Sequence, residues 1–285
     1  MVKRCSHGLC NSDDSYPERL VGGVRFVPFP KPMTQYEKCL RWIKVCGRPH
    51  HQLNPSNINR NRYVCTKMTN GQMSRAEALA CSGCRHACHV MLYSDTESQL
   101  FGRTPIKHIV LMQMRFDGLL GFPGGFVNQS QESLEAGLRR ELKEELGVAL
   151  SISEDDHADA RYAVGTSPAS PRLITHFYVK KLKEEHIKEV EQASASTAKD
   201  HGQEVLGMVR VPLYTTKGGG GLSSFLSHAF IGSARTQLVD ALLRLHLTAP
   251  EDLHKALERS MKTHALGAAD LRAALALTEA KRDES

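Results

Sequence analysis

Residues 121–148 read GFPGGFVNQSQESLEAGLRRELKEELGV, a glycine-rich loop that runs into a charged helix. Gly121, Gly124 and Gly125 let bare backbone come close to a ligand, and Ser130 or Ser133 is placed to cap the helix that follows. The composition of 133–147 predicts that helix. On it Glu141, Glu144 and Glu145 sit at i, i+3 and i+4, so the three carboxylates share one face within about 5–6 Å of each other. Like charges that close repel, and a divalent cation relieves the repulsion. Oxygen donors without Cys or His suit hard ions, Mg²⁺ or Mn²⁺, which also bridge phosphate oxygens. Taken alone, the same glutamates also read as a solvated face balanced by Arg139, Arg140 and Lys143. The context decides between the two.

Outward from this run the chain alternates strand-like and helix-like stretches. Residues 88–94 and 108–114 are short apolar runs of the buried-strand type, and 172–180 and 204–211 are β-rich, with Val205, Val209 and Val211 on one parity. Helices are predicted over 184–198, 222–246, 250–264 and 268–281. The class is mixed α/β. A chain of 285 residues has room for one large or two ordinary domains, and 41% hydrophobic with 24% charged residues is a globular composition. Apolar stretches such as 109–112 fall far short of the ~20 residues of a membrane span, and the N-terminus shows no apolar signal region, so an intracellular protein away from membranes is expected.

The net charge of +6 is unevenly distributed: residues 1–72 carry 12 Lys+Arg against 4 Asp+Glu (+8), and residues 73–285 carry 25 against 27 (−2). All eight cysteines lie at or before residue 88. In a reducing compartment these suggest metal binding or burial before disulfides. The two modules meet near residues 68–78.

The first module, residues 1–70, resembles the THAP domain, a nuclear DNA-binding zinc module with two Cys, a long spacer and Cys-x2-His. Cys5, Cys10 and Cys65 match its ligands, with Trp42 inside a predicted helix 35–45 and Phe29-Pro30 before it. The fourth position is Met68, and a thioether is a poor zinc ligand; His7, His50 or His51 would have to substitute. Zinc is therefore doubtful. The segment is either a partly ordered basic tail or a damaged zinc module, and in both forms its Lys and Arg favour non-specific contact with nucleic acid.

The second module, residues 78–246, resembles the Nudix hydrolases. The box Gly-x5-Glu-x7-Arg-Glu-U-x-Glu-Glu-x-Gly-U, with U aliphatic, falls on Gly125, Glu132, Arg140, Glu141, Leu142, Glu144, Glu145, Gly147 and Val148, with six residues in place of five after Gly125. The resemblance implies the Nudix fold, a mixed β-sheet sandwiched between helices, and metal-dependent cleavage of diphosphate linkages. Arg85-His-Ala-Cys-His89, Leu100-Phe-Gly-Arg103, Gln113-Met-Arg-Phe-Asp-Gly118, Ala198-Lys-Asp-His-Gly-Gln-Glu-Val205, Val209-Arg-Val-Pro-Leu-Tyr214 and Phe230-Ile-Gly-Ser-Ala-Arg235 are similar to the small nucleolar RNA-decapping branch. That branch implies hydrolysis of inosine and deoxyinosine di- and triphosphates, removal of RNA caps including metabolite caps, a nuclear and nucleolar location, and a homodimer.

Carried over by residue, the resemblance puts metal ligands on the Gly124 carbonyl, Glu141 and Glu145, with Glu144 in the same cluster. It puts substrate contacts on His89, Arg115 and Phe122, an additional acidic group on Glu204, and the general base on Glu144 or Glu204. Each satellite has a plainer alternative: His89 as a core histidine, Arg115 paired with Asp117 or a box glutamate, Phe122 as packing. The run Cys81-x2-Cys84-x-His86-x-Cys88-His89 has zinc-like spacing but overlaps the family's strand, so zinc is not expected there. A silent relative that lost its box glutamates and binds a Tudor-domain partner supplies a scaffold alternative, which the retained Glu141, Glu144 and Glu145 oppose. A DNA-binding regulator is opposed by Met68. Residues 247–285 read as a helical extension, with Leu253, Leu257, Leu271, Leu275 and Leu277.

Overall fold

The computed structural model describes residues 26–28, 31, 33–35, 63–65, 72–81, 83–163, 173–214 and 221–262. Cys5, Cys10, Trp42 and Met68, and with them the tests of a zinc module, lie outside these residues, as does the helix expected over 268–281. In chain order the strands are β1 (Phe26–Pro28), β2 (Tyr63–Cys65), β3 (Gln72–Met73), β4 (Arg85–Asp95), β5 (Gln99–Leu100), β6 (Thr104–Pro105), β7 (His108–Arg115), β8 (Leu120–Gly121), β9 (Gly124–Val127), β10 (His157–Ala163), β11 (Leu173–Lys181) and β12 (Val205–Leu213). The helices are α1 (Arg75–Leu79), α2 (Leu134–Leu146), α3 (Glu184–Ser196), α4 (Leu222–Leu226), α5 (Ala234–Arg244) and α6 (250–262). None among the described residues is long and apolar enough to cross a membrane.

The chain divides into two compact units, Met1–Ala87 with Val127–Ser130 and Ala158–His176, and Cys88–Phe126 with Gln131–His157 and Phe177–Ser285. In the second unit the strand order is β12, β7, β4, β11, with β8 added to β7 and β9 to β4. The β4–β7 and β7–β12 pairs are antiparallel, with Leu92 opposite Leu111 and Val110 opposite Val211. Val90, Met91, Leu92, Val110, Leu111 and Met112 are all fully buried, as expected for central strands covered on both faces. Helix α2 buries Leu134, Leu138, Leu142 and Leu146. That stripe contributes about 6–12 kcal/mol of apolar transfer before entropy, enough to carry one buried acid on the same helix. Tyr178, fully buried on β11, donates its hydroxyl to Glu135 of α2 at 2.7 Å. Helix α3 lies against α2 and β12, and Arg210 on β12 forks onto Glu191 of α3.

In the first unit β1 and β2 pair antiparallel, with Phe26 opposite Cys65, and β3 pairs with β10, with Met73 opposite Ala160. Met73, Ala78, Cys81, Ala160 and Ile174 form its small core, with Cys84 and Tyr162 packed on it. His86 Nδ1 and His176 Nε2 are 2.9 Å apart, and both rings are buried. Burial lowers the His86 pKa. Below its ordinary pKa of about 6.5 the unfolded chain binds the proton first, so this group's contribution to stability is present above that pH and is lost as pH falls toward the folded value. Urea midpoints measured from about pH 7 to pH 5 should therefore fall more steeply for the wild type than for His86→Gln.

Three features differ from the sequence-based expectation. The loop before the box is partly strand, β8 and β9, because its neighbours β7 and β4 have hydrogen-bonding edges to offer. Residues 157–163 form β10, although His157-Ala-Asp-Ala-Arg-Tyr-Ala has weak strand composition. The helix predicted over 222–246 is two helices, α4 and α5. Between them, Ala229 accepts from Leu120 N at 2.9 Å and Ile231 donates to Leu120 O at 2.9 Å, so this segment pairs with β8 instead of staying helical.

Candidate active site

Helix α2 begins where Ser133 Oγ accepts from Ala136 N at 3.2 Å, and ends at Gly147, whose left-handed backbone (φ 71°) donates to Lys143 O. With the leucine stripe turned inward, Glu145 is carried with it and is only 6% exposed, while Glu141 and Glu144 stand at the rim. Gly124 N donates to Glu145 Oε2 at 2.6 Å, and Gln113 Nε2 donates to Oε1 at 3.0 Å. Burial pushes the Glu145 carboxyl up to about 7; those two bonds oppose the shift, and the charges of Glu141 and Asp200 add to it. Glu141 is raised too, first by burial, against its bond from Arg140 and with help from Glu144 and Asp200. Two carboxyls held above their ordinary range beside further acids mark a site short of positive charge.

Arg140 clamps the rim. It donates to Glu141 Oε1 at 2.7 Å, to Glu132 Oε1 at 2.9 Å and Oε2 at 3.3 Å, and to the Phe126 carbonyl at 3.1 Å. The longer spacer after Gly125 leaves this clamp whole. The turn at 128–130 is set by Asn128 Oδ1, which accepts from Ser130 N and Oγ at 3.2 and 2.7 Å. Arg140→Ala should raise the Mg²⁺ concentration for half-maximal activity about 10–100-fold, as removal of ligand-orienting groups does. Arg140→Lys should recover little of this, because one ammonium cannot fork across two carboxylates and a carbonyl; a metal titration of initial rates reads both.

The loop lies flush against its surroundings. Gly124 has φ +130°, and a Cβ there would stand 2.1 Å from the Cys88 carbonyl oxygen. A Cβ on Gly125 would stand 2.3 Å from Glu141 Oε2. Pro123 O accepts from Val90 N at 3.0 Å, which fixes the loop to β4.

His89, on β4, is half-buried, and its pKa is pushed down to about 4 by burial and by the nearby Arg115 guanidinium, which places a neutral imidazole near a cation. Arg115 pairs with Asp117 at 3.1 Å and lies 5.3 Å from the centroid of the exposed Phe116 ring. Phe122 is 3% exposed and packs on Phe177 at 4.9 Å, so its ring belongs to the core. Glu204 is exposed, and its carbonyl accepts from Phe116 N at 3.0 Å. Glu144 lies 3.8 Å from Lys199 Nζ and 3.9 Å from Arg140.

Two site residues escaped the sequence reading. Asp200 reaches Glu141 and Glu145 with its charge because Lys199 N and Asp200 N both donate to Glu144 O, at 2.9 and 3.4 Å. Its only sequence signal is its place in the Lys-Asp-His-Gly string. Gln113, 2% exposed, has a buried Oε1 with no hydrogen-bond partner in the structure. In the sequence it is one polar residue in an apolar strand.

Among the described residues no three His, Cys, Asp or Glu side chains are drawn together into a ready metal cage. The donor chemistry nonetheless fits a hard divalent cation: Glu141 and Glu145 carboxylates, backbone oxygen at Gly124, and the orphaned Gln113 Oε1 are all oxygen donors.

The family model described as "Nudt16-like: U8 snoRNA-decapping enzyme-like" matches residues 86–248. The chain is 54% identical over 167 residues to the U8 snoRNA-decapping enzyme of Mus musculus, an alignment covering 58% of this chain and 84% of that protein. To the Xenopus laevis U8 snoRNA-decapping enzyme it is 47% identical over 192 residues, covering 66% and 88%. To the Tudor-interacting repair regulator protein of Homo sapiens it is 48% identical over 188 residues, covering 65% and 86%. With an intact box helix, a glycine loop seated on β4 and a family match over more than half its length, the chain belongs to the Nudt16-like family of Nudix hydrolases.

Proposed function

We propose that this enzyme hydrolyses phosphoric anhydride linkages in capped RNA and in nucleoside di- and triphosphates, inosine and deoxyinosine nucleotides among them, with Mg²⁺ or Mn²⁺ as cofactor. The observation that carries the proposal is the Glu145 carboxyl, buried, raised to about 7, tied to Gly124 and Gln113 and acted on by the charges of Glu141 and Asp200. Bound divalent metal supplies charge neutralisation of the diphosphate and a lowered pKa for the attacking water. Glu141, Glu145 and the Gly124 carbonyl would hold it. Water oxygen attacks one phosphorus, the anhydride P–O bond breaks, and the other phosphate leaves. His89 and Arg115, near enough for the guanidinium to act on the imidazole, would receive base and phosphate, whereas the burial of Phe122 keeps its ring in the core. Decapping of small nucleolar RNA is supported by the names of the relatives, and metabolite caps fall within the same bond chemistry. A nuclear and nucleolar location, a homodimer and non-specific nucleic-acid contact by the basic N-terminal segment belong to the same proposal.

The test uses the full chain with inosine diphosphate and with capped RNA, in Mg²⁺ or Mn²⁺. Metal-dependent release of phosphate and of cap nucleotide is expected, and failure with both substrates would falsify the proposal. Glu144→Gln and Glu204→Gln, compared over pH, assign the base: the variant that loses the acid limb of the rate profile is the one that took the water's proton. The relatives named as Tudor-interacting regulators suggest a protein-binding scaffold as a second reading. Glu141, Glu144 and Glu145 favour the enzyme.

A further inference from the structure

Cys81 and Cys84 have no part in the chemistry described above. Their sulfurs are 2.8 Å apart. That lies between the ~2.05 Å of a disulfide bond and the about 3.5–4.0 Å at which non-bonded carbon atoms rest. The pair is set by local structure. Cys81 N donates to Ala78 O at 3.2 Å, at the end of α1, and the chain turns through Gly83 before β4 begins at Arg85. The two thiols differ in access. Cys81 is 7% exposed in the small core with Met73, Ala78, Ala160 and Ile174, whereas Cys84 is half-buried at its edge. A buried thiol behind a reachable one is the arrangement that thiol–disulfide exchange requires, because attack depends on access and a second thiol must complete the exchange. Cys-x-x-Cys is also the spacing of redox-active pairs in reducing compartments, where disulfides form transiently.

We propose that Cys81 and Cys84 form a reversible redox site that takes a low-molecular-weight disulfide as its oxidant. Cys84, as thiolate, attacks one sulfur of glutathione disulfide; a Cys84–glutathione mixed disulfide forms and one glutathione thiolate leaves. Cys81, after loss of its proton, attacks the Cys84 sulfur. The Cys81–Cys84 bond forms and the second glutathione leaves. Two protein sulfurs are oxidised by two electrons, one disulfide is reduced to two thiols, and glutathione in excess reverses the sequence. Closing so short a loop removes little chain entropy, which suits a bond that breaks as readily as it forms.

The experiment incubates the full chain in glutathione buffers of graded oxidised-to-reduced ratio, quenches with acid, alkylates under denaturing conditions and maps every cysteine by peptide mass spectrometry. The expected result is loss of alkylation at Cys81 and Cys84 together, with a peptide lighter by two hydrogens, restored by dithiothreitol. Cys81→Ser should accumulate glutathione on Cys84, since the resolving thiol is gone, and Cys84→Ser should leave Cys81 alkylatable. The proposal is overturned if wild-type Cys81 and Cys84 stay alkylated at every ratio, or if either bonds to another cysteine. It is also overturned if the purified protein holds stoichiometric zinc that shields both thiols and is lost in either serine variant. The wild-type map decides these outcomes even if a variant folds poorly.

Discussion

Glu145→Gln is expected to reduce hydrolysis at least about a hundredfold while leaving the metal-free protein as stable as the wild type or more so above neutral pH. The catalytic half follows from the position of the carboxylate, which accepts from Gly124 and Gln113 at the point where the box and the glycine loop meet. An amide keeps the shape and one acceptor oxygen but supplies no charge to hold a cation. The stability half follows from the raised pKa of about 7. A carboxyl whose folded pKa lies above its ordinary value stabilises the fold fully below about pH 4.5, and that contribution is lost as pH climbs through about 7. The loss is on the order of 3 kcal/mol, which the leucine stripe of α2 can carry. In chelator, the unfolding temperature of Glu145→Gln should rise relative to that of the wild type from about pH 5 to pH 8, the other titrating groups, His86 among them, being common to both. A constant difference would show that this carboxyl is not the buried acid described above.

Gly124→Ala is expected to cost about 2–5 kcal/mol and to lower the unfolding temperature by roughly 5–15 °C. Two effects add: backbone at φ +130°, where side chains are strained, and a Cβ 2.1 Å from the Cys88 carbonyl oxygen and 2.9 Å from the His89 Cα. The obstacles are backbone of β4, so no rotamer change relieves them. The loop would have to lift, breaking the Gly124 N–H bond to Glu145, and hydrolysis should fall even at temperatures where the variant stays folded. Gly118→Ala is the control: φ there is +75° with nothing within 4 Å of the added Cβ, so only the backbone preference, about 1–2 kcal/mol, is at stake. If the two variants lose equal stability, the close seat of the loop on β4 is refuted.

The α2 helix was readable because its information is local: a serine cap, a glycine stop, leucines every fourth residue and glutamates at i, i+3 and i+4 all lie within one continuous stretch. Strands β4 and β7, as apolar runs, and β11, as a β-rich stretch, were readable for the same reason. Strand β10 and the break between α4 and α5 were not, since each depends on hydrogen bonds offered by a partner distant in sequence, Met73 in one case and Leu120 in the other. In the site, Asp200 and Gln113 were hidden because what places them beside the glutamates is a backbone bond to Glu144 and a strand register.

Residue identity and spacing were sufficient for the box helix, whose three glutamates share a face because a helix projects its side chains at a known angle per residue, and, through the resemblance they carry, for the family. Long-range packing settled which glutamate is buried, with its carboxyl pKa raised, and that Phe122 packs against Phe177. Desolvation and contact distance depend on every neighbour at once, and those neighbours come together only when the chain folds.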